Sequence, residues 1–140
     1  MTEYRKIQVE EVGAIRSLYN KFPDFPKPLR EMLPGNGLDG YVAVKDGEIV
    51  AATYAFICAN APYAWLEWTV ADKDYKEDDK KQIISYLLEY ACDDLAEHGY
   101  KWAFAFSNKT QGLVPYYEAA GFNVEGESSL EMIKYIDNGE

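Results

Sequence analysis

The residues best placed to do chemistry lie between Asp72 and Leu88, where Lys76, Lys80 and Lys81 flank the acids Glu77, Asp78 and Asp79. The run joins a strand-like segment, Trp65 to Val70, to a long helical stripe, and a further strand follows at Trp102 to Phe106. A helix N-terminus beside a strand end is the usual place to hold a phosphorylated cofactor, because unpaired N–H groups and the helix dipole both favour anionic oxygen. Such turns are normally rich in glycine, which lets the backbone approach the phosphates. Here there is no glycine between Asp72 and Leu88. The three acids suit a helix start but repel a diphosphate, and the three lysines offset them only through side chains. Two readings stand side by side: a lysine-held phosphate site, or a solvated, well-capped helix start that binds nothing.

Other chemistries find little support. The single histidine, His98, precedes Gly99 at a helix end, where an imidazole serves the last carbonyls. One histidine and two distant cysteines make no metal site. Cys58 and Cys92 read as small buried hydrophobes of a reducing compartment. No Gly-x-Ser-x-Gly elbow or Walker loop occurs. A net charge of -10 argues against nucleic acid and anionic membrane as partners, and no apolar run reaches a membrane span. With no apolar stretch after Met1 to Lys6, a cytoplasmic location is expected.

The elements that would position these residues fit one domain. Its 140 residues are 48% hydrophobic and 15% aromatic, enough for a packed core. A short strand at Tyr4 to Gln8 precedes a helix whose apolar positions run Val12, Ile15, Leu18, Tyr19 and Phe22, stopping before Pro23. A proline-rich connection to Gly40 contains at most a short helix at Leu29 to Leu33, with turns at Gly35-Asn36-Gly37 and Asp39-Gly40. Tyr41 to Val44 and Glu48 to Ile57 form a hairpin through Asp46-Gly47, followed by a strand at Tyr63 to Val70. Strict alternation there puts Leu66, Trp68 and Val70 on one face and Trp65, Glu67 and Thr69 on the other. Ile83, Ile84, Leu87, Leu88, Ala91, Cys92 and Leu95 stripe the long helix. Asn108 or Thr110 caps a last helix closed by Gly121, and Leu130 to Ile136 is a final strand. The order β-α-β-β-β-α-β-α-β predicts an α/β fold with a mixed sheet, an antiparallel meander plus parallel strands, and helices on both faces.

This order, together with Tyr117-Glu118-Ala119-Ala120-Gly121-Phe122, resembles the GCN5-related N-acetyltransferase (GNAT) superfamily over nearly the whole chain. Its last helix ends in a similar Tyr-Glu-x-x-Gly-Phe. The Gly47 hairpin, the strand end Glu67-Trp68-Thr69-Val70 and the helix exit Glu97-His98-Gly99-Tyr100 are similar as well. The resemblance implies transfer of an acetyl group from acetyl-CoA (coenzyme A) to an amine, with the thioester in a gap between the Val70 and Trp102 strands. It implies that Glu67 is the base and Tyr117 the acid, and that backbone groups near Val70 and Asp72 bind the pantetheine arm. Solvated strand carboxylate and core aromatic are the bland readings of the same two side chains. The family's phosphate loop, Gln/Arg-x-x-Gly-x-Gly/Ala, corresponds by this count to Asp79-Lys80-Lys81-Gln82-Ile83-Ile84, which matches none of its signature positions. A family asparagine that contacts the cofactor falls at Thr110 or, two residues earlier, at Asn108.

The expected function is therefore N-acetylation of a small-molecule or peptide amine. The alternative is a GNAT-like fold with an eroded cofactor site, kept as a binding module. A ligand-free acidic protein would lack a cleft between the two strands. The acidic surface favours a cationic acceptor, and a homodimer is left open.

Overall fold

The computed structural model describes residues 1–24, 27–106 and 112–124. Among the described residues five strands form one sheet in the order β1 (Thr2–Lys6), β2 (Gly40–Lys45), β3 (Glu48–Ile57), β4 (Tyr63–Ala71) and β5 (Trp102–Phe104). The first four are antiparallel neighbours, and β5 joins β4 in parallel. The mixed α/β sheet expected from the sequence is thus present. The Leu130 to Ile136 strand lies outside the described residues.

Helix α1 (Val12–Asn20) covers one face of the sheet, entered through a 3-10 turn at Val9–Glu11. Its apolar side, Val12, Ile15, Leu18 and Tyr19, packs with Val42, Ala52, Tyr54 and Val70. The opposite face carries α2 (Lys80–Glu97), whose Ile83, Ile84, Leu87, Leu88, Ala91 and Leu95 bury against Ala51, Ala55, Leu66 and Ala71. Two small residues of β3 therefore sit beneath α2, letting the helix approach closely. The imidazole Nδ1 of His98 meets the Asp94 carbonyl at 2.7 Å, and Gly99 follows at φ 91°. That is the C-terminal role its sequence position implied. Cys92 is only half-buried on α2, and its thiol is pushed up to about 11 by that burial.

Helix α3 (Val114–Ala119) follows β5 and packs on α2, with the Ser85 hydroxyl donating to the Tyr116 carbonyl at 3.4 Å. It starts later than expected, with Leu113 at the N-cap and Pro115 in its first turn. Neither Asn108 nor Thr110 is therefore its cap; both lie outside the described residues. The connection from α1 to β2 contains 3-10 turns at Arg30–Met32 and Pro34–Gly37, and it buries Leu33 against the α1 side of the core. At Gly40 a side chain is excluded, since a Cβ would lie 2.6 Å from the Thr53 carbonyl oxygen.

Candidate active site

Strand β4 is irregular where it matters. Ala52 pairs with Val70 and Tyr54 pairs with Glu67, so Thr53 alone faces both Trp68 and Thr69. This is a β-bulge, and Trp68 sits in it at φ 56°. A bulky side chain in the left-handed region is strained, so something must hold it. Helix α1 does: the Tyr19 hydroxyl donates to the Trp68 carbonyl, and the two rings meet edge to face at 6.3 Å. The bulge also corrects the expected alternation. Leu66 faces α2, whereas Trp68 and Val70 pack on the α1 side, the side on which Glu67 pairs with Tyr54.

Ahead of the bulge, among the described residues, β4 parts from its parallel partner. Among the described residues, pairing with β5 covers Tyr63, Ala64 and Trp65, opposite Trp102, Ala103 and Phe104. Glu67 lies at the mouth of the resulting gap and bridges it, its carboxylate accepting the Phe106 N–H at 2.8 Å. A side chain thus takes a backbone donor that a continued ladder would have used.

Tyr117 closes the α2 side of the gap. Its hydroxyl lies 2.6 Å from the Thr69 hydroxyl and 3.3 Å from the Leu66 carbonyl, and Thr69 lies 2.8 Å from Thr53. Each hydroxyl has one proton to give, so the chain runs Thr53 to Thr69 to Tyr117 to the Leu66 carbonyl. Burial pushes the Tyr117 phenol well above its usual range, the Thr69 hydroxyl bond opposes this, and the nearby Glu67 charge adds to it. The turn after α3 explains the Tyr-Glu-x-x-Gly-Phe pattern: Gly121 at φ 98° swings Phe122 back onto Tyr117, rings perpendicular at 5.2 Å. Glu67 and Tyr117 therefore meet at one gap, and Tyr116 points elsewhere, as their adjacency on α3 requires.

The segment expected to meet phosphates divides. Ile83 and Ile84 are 3% and 1% exposed, so their side chains belong to the core and cannot line a ligand site. Lys81 and Gln82 are exposed on the first turn of α2, Gln82 donating to the Tyr86 hydroxyl at 3.0 Å. Lys80 is half-buried and acts electrostatically on Asp72. Asp79, at the N-cap, makes no side-chain bond to its own helix. Its carboxylate instead takes Lys45 Nζ at 2.6 Å and the Tyr75 hydroxyl at 2.5 Å. The Lys45 bond holds Asp79 below the usual carboxylate range. Lys45, on the hairpin, is thus the residue the sequence reading missed: it neutralises one of the three acids.

Asp72 is occupied structurally. Its N–H goes to the Val50 carbonyl at 2.7 Å, and its carboxylate takes Lys21 Nζ at 2.7 Å and the Asp74 N–H. Burial raises this carboxyl, but Lys21 and the Asp74 N–H outweigh it and hold it low. Its backbone N–H is therefore not available to a pantetheine arm. Val70 is buried at the end of β4 and points its side chain to the α1 face. A cavity of about 360 Å³, lined by Lys45, Glu48, Asp72, Tyr75 and Glu77, lies on the hairpin side of β4, away from the Glu67 gap. Among the described residues no group of His, Cys, Asp and Glu could hold a metal, and no helix is long and apolar enough to cross a membrane.

A mixed sheet with a bulged central strand, a splayed parallel neighbour and a carboxylate bridging the gap defines the class. The chain belongs to the acetyltransferase (GNAT) family, whose model matches residues 9–122. No curated protein matches it. Among solved structures it is similar to the ribosomal-protein-S18-alanine N-acetyltransferase of Escherichia coli, at 18% identity and a TM-score of 0.69, covering 88% of this chain and 78% of that one. It is similar to an aminoglycoside acetyltransferase from an uncultured soil metagenomic sample, solved with sisomicin, at 14% identity and 0.70, with 97% of each chain covered. It also overlays on N-acetylglutamate synthase from Neisseria gonorrhoeae, solved with coenzyme A and N-acetyl-glutamate, at 15% identity and 0.68. There 84% of this chain spans only 28% of that one. At these identities the likeness speaks for the fold.

Proposed function

We propose that the protein transfers the acetyl group of acetyl-CoA to a primary amine in the gap between β4 and β5. The observation that carries this is the position of Glu67, its carboxylate across the splay with Tyr117 on the opposite side. The thioester supplies an activated acyl carbon. Glu67 takes a proton from the attacking nitrogen, directly or through water. The C–N bond forms, the C–S bond breaks and the sulfur leaves as thiolate.

Tyr117 serves as a hydrogen-bond donor rather than as a full proton source. Its phenol lies above its usual value of about 10, whereas a thiol sits near 8.5, so complete transfer runs uphill. Its bond to the Leu66 carbonyl, at 3.3 Å, is weak enough to yield to a developing sulfur charge. The bond to Thr69 keeps the ring in place. Lys80 and Lys81 stand at the start of α2 for the phosphates, and Asn108 and Thr110 remain candidates for cofactor contacts.

The eroded-site alternative draws on the turn before α2, which keeps Glu77 and Asp78 exposed and has no glycine. Calorimetric titration with coenzyme A, followed by a thiol-release assay over an amine panel, separates the two. Micromolar to millimolar binding with turnover is the expected result; absence of both heat and thermal shift would sink the proposal.

A further inference from the structure

On the face of β4 that carries Glu67, Tyr63 and Trp65 stand next to Phe104 of β5. Tyr63 meets Trp65 at 5.2 Å and 78°, and Phe104 at 5.5 Å and 89°; Trp65 and Phe104 lie 5.7 Å apart, tilted by 32°. The bulge begins only at Trp68, so alternation puts all three rings on the Glu67 side. They are not core: Phe104 is 46% exposed, and Tyr63 and Trp65 are half-buried. No described lysine or arginine covers these rings, although Lys45 sits over Tyr75 and Lys73 over Phe22 elsewhere. At roughly 3.3 Å per residue, Trp65 lies about 7 Å and Tyr63 about 13 Å from Glu67 along the strand.

We infer that the acceptor is an aliphatic di- or polyamine, its reacting amine at Glu67 and a second ammonium on the Tyr63, Trp65 and Phe104 rings. The inference rests on the transferase reading for its chemistry, though not for its binding. Aromatic faces attract ammonium groups, and 24 acids against 14 bases give a field that draws polycations in. A second, distant charge also suits the reaction. It is recognised without stabilising the protonated form of the nitrogen that must react, and its charge lowers that nitrogen's affinity for its proton. The first nitrogen gives a proton to Glu67 and attacks the thioester; the second keeps its proton throughout.

The test is calorimetric titration of the protein alone with hexane-1,6-diamine, spermidine, hexylamine and phenethylamine at low salt, then thiol release from acetyl-CoA with the same panel. The diamines are expected to bind about 2- to 30-fold tighter than hexylamine, the span of one cation–π contact. Trp65→Leu should erase that preference, and the exposed Phe104→Leu provides the same reading if Trp65→Leu misfolds. Equal or tighter binding of hexylamine or phenethylamine overturns the inference, as does an unchanged preference in both variants. So does sedimentation showing the rings covered in a dimer that Trp65→Leu dissociates. A diamine preference in binding without thiol release from any amine leaves this site standing and sinks the transferase reading instead.

Discussion

The Glu67 carboxylate accepts the backbone N–H of Phe106 at 2.8 Å, tying β4 to the chain just past β5, beyond the last described pair of their ladder. The carboxylate proposed to receive an amine proton is also the group that takes the Phe106 N–H just past the end of β5. A side chain that does both is oriented without being buried, which is what a base in contact with a substrate requires.

Glu67→Gln separates the two roles. The amide oxygen still accepts the Phe106 N–H, so thermal stability should change little, while loss of the base should lower kcat by about 10²- to 10⁴-fold. Glu67→Ala removes both and should also lower the melting temperature. Thiol-release kinetics and a thermal melt check the pair; an active Glu67→Gln would remove the residue from the mechanism.

Tyr117→Phe deletes the last hydroxyl of the Thr53–Thr69–Tyr117 chain. The half-buried Thr69 hydroxyl and the Leu66 carbonyl then lose a partner, at a cost of about 1–3 kcal/mol. If the phenol stabilises the leaving sulfur, kcat should fall about tenfold or more, one charge-assisted hydrogen bond being worth ~1.5–3 kcal/mol. Thr69→Val should cost similar stability with a smaller loss of rate. Denaturant titration and steady-state kinetics of the two variants test this.

How much of this was legible in the sequence follows from the range of each interaction. The α2 stripe, the Asp46-Gly47 hairpin and the Gly121 turn are local patterns, and each forms where its residues indicated. The bulge at Trp68 is not local. A period of two cannot reveal an inserted residue, and the partner that stabilises it, Tyr19, is 49 positions away. Lys45 and Asp79 are likewise 34 positions apart, so an acid read as a phosphate-repelling charge proves to be an ion pair. The fold was legible because its elements announce themselves; the site was half legible because its supports come from elsewhere in the chain.

Alkali should unfold the protein through its buried phenols. Burial raises Tyr19, Tyr41 and Tyr117 above their usual value, and Tyr54, whose hydroxyl has no hydrogen-bond partner among the described residues, is pushed up to about 12. The folded state therefore holds these protons more tightly than the unfolded chain. Their contribution is complete below about pH 10, where unfolded phenols titrate, and is lost as pH rises towards the folded values. Each tyrosine then costs up to about 1.4 kcal/mol per pH unit. Tyrosinate absorbance should rise together with loss of circular dichroism above pH 10; phenol ionisation in a still-folded protein would contradict the burial.

The turn before α2 decides whether phosphates are held by side chains. Replacing Lys80 and Lys81 with Ala should weaken coenzyme A binding several-fold, and Asp78→Asn should strengthen it, both effects shrinking as salt screens exposed charges. A helix start that binds nothing would leave all three values unchanged. Inserting glycine at the positions that match the family loop by count would not help. Ile84 is 1% exposed among Ala51, Leu87 and Leu88, so Ile84→Gly opens a cavity and weakens the helix, costing about 3 kcal/mol or more. Glycine belongs instead at Glu77 or Asp78, ahead of the helix, where both side chains are exposed. Glu77→Gly should then raise coenzyme A affinity with little change in melting temperature, because it removes a repelling charge and frees the backbone where the turn meets the dipole. Calorimetry with coenzyme A and with its dephosphorylated, 3′-hydroxyl form reads both outcomes. The dephosphorylated form keeps the diphosphate, so unchanged affinity for both forms in the Lys80→Ala and Lys81→Ala variants would place the lysines outside the phosphate site.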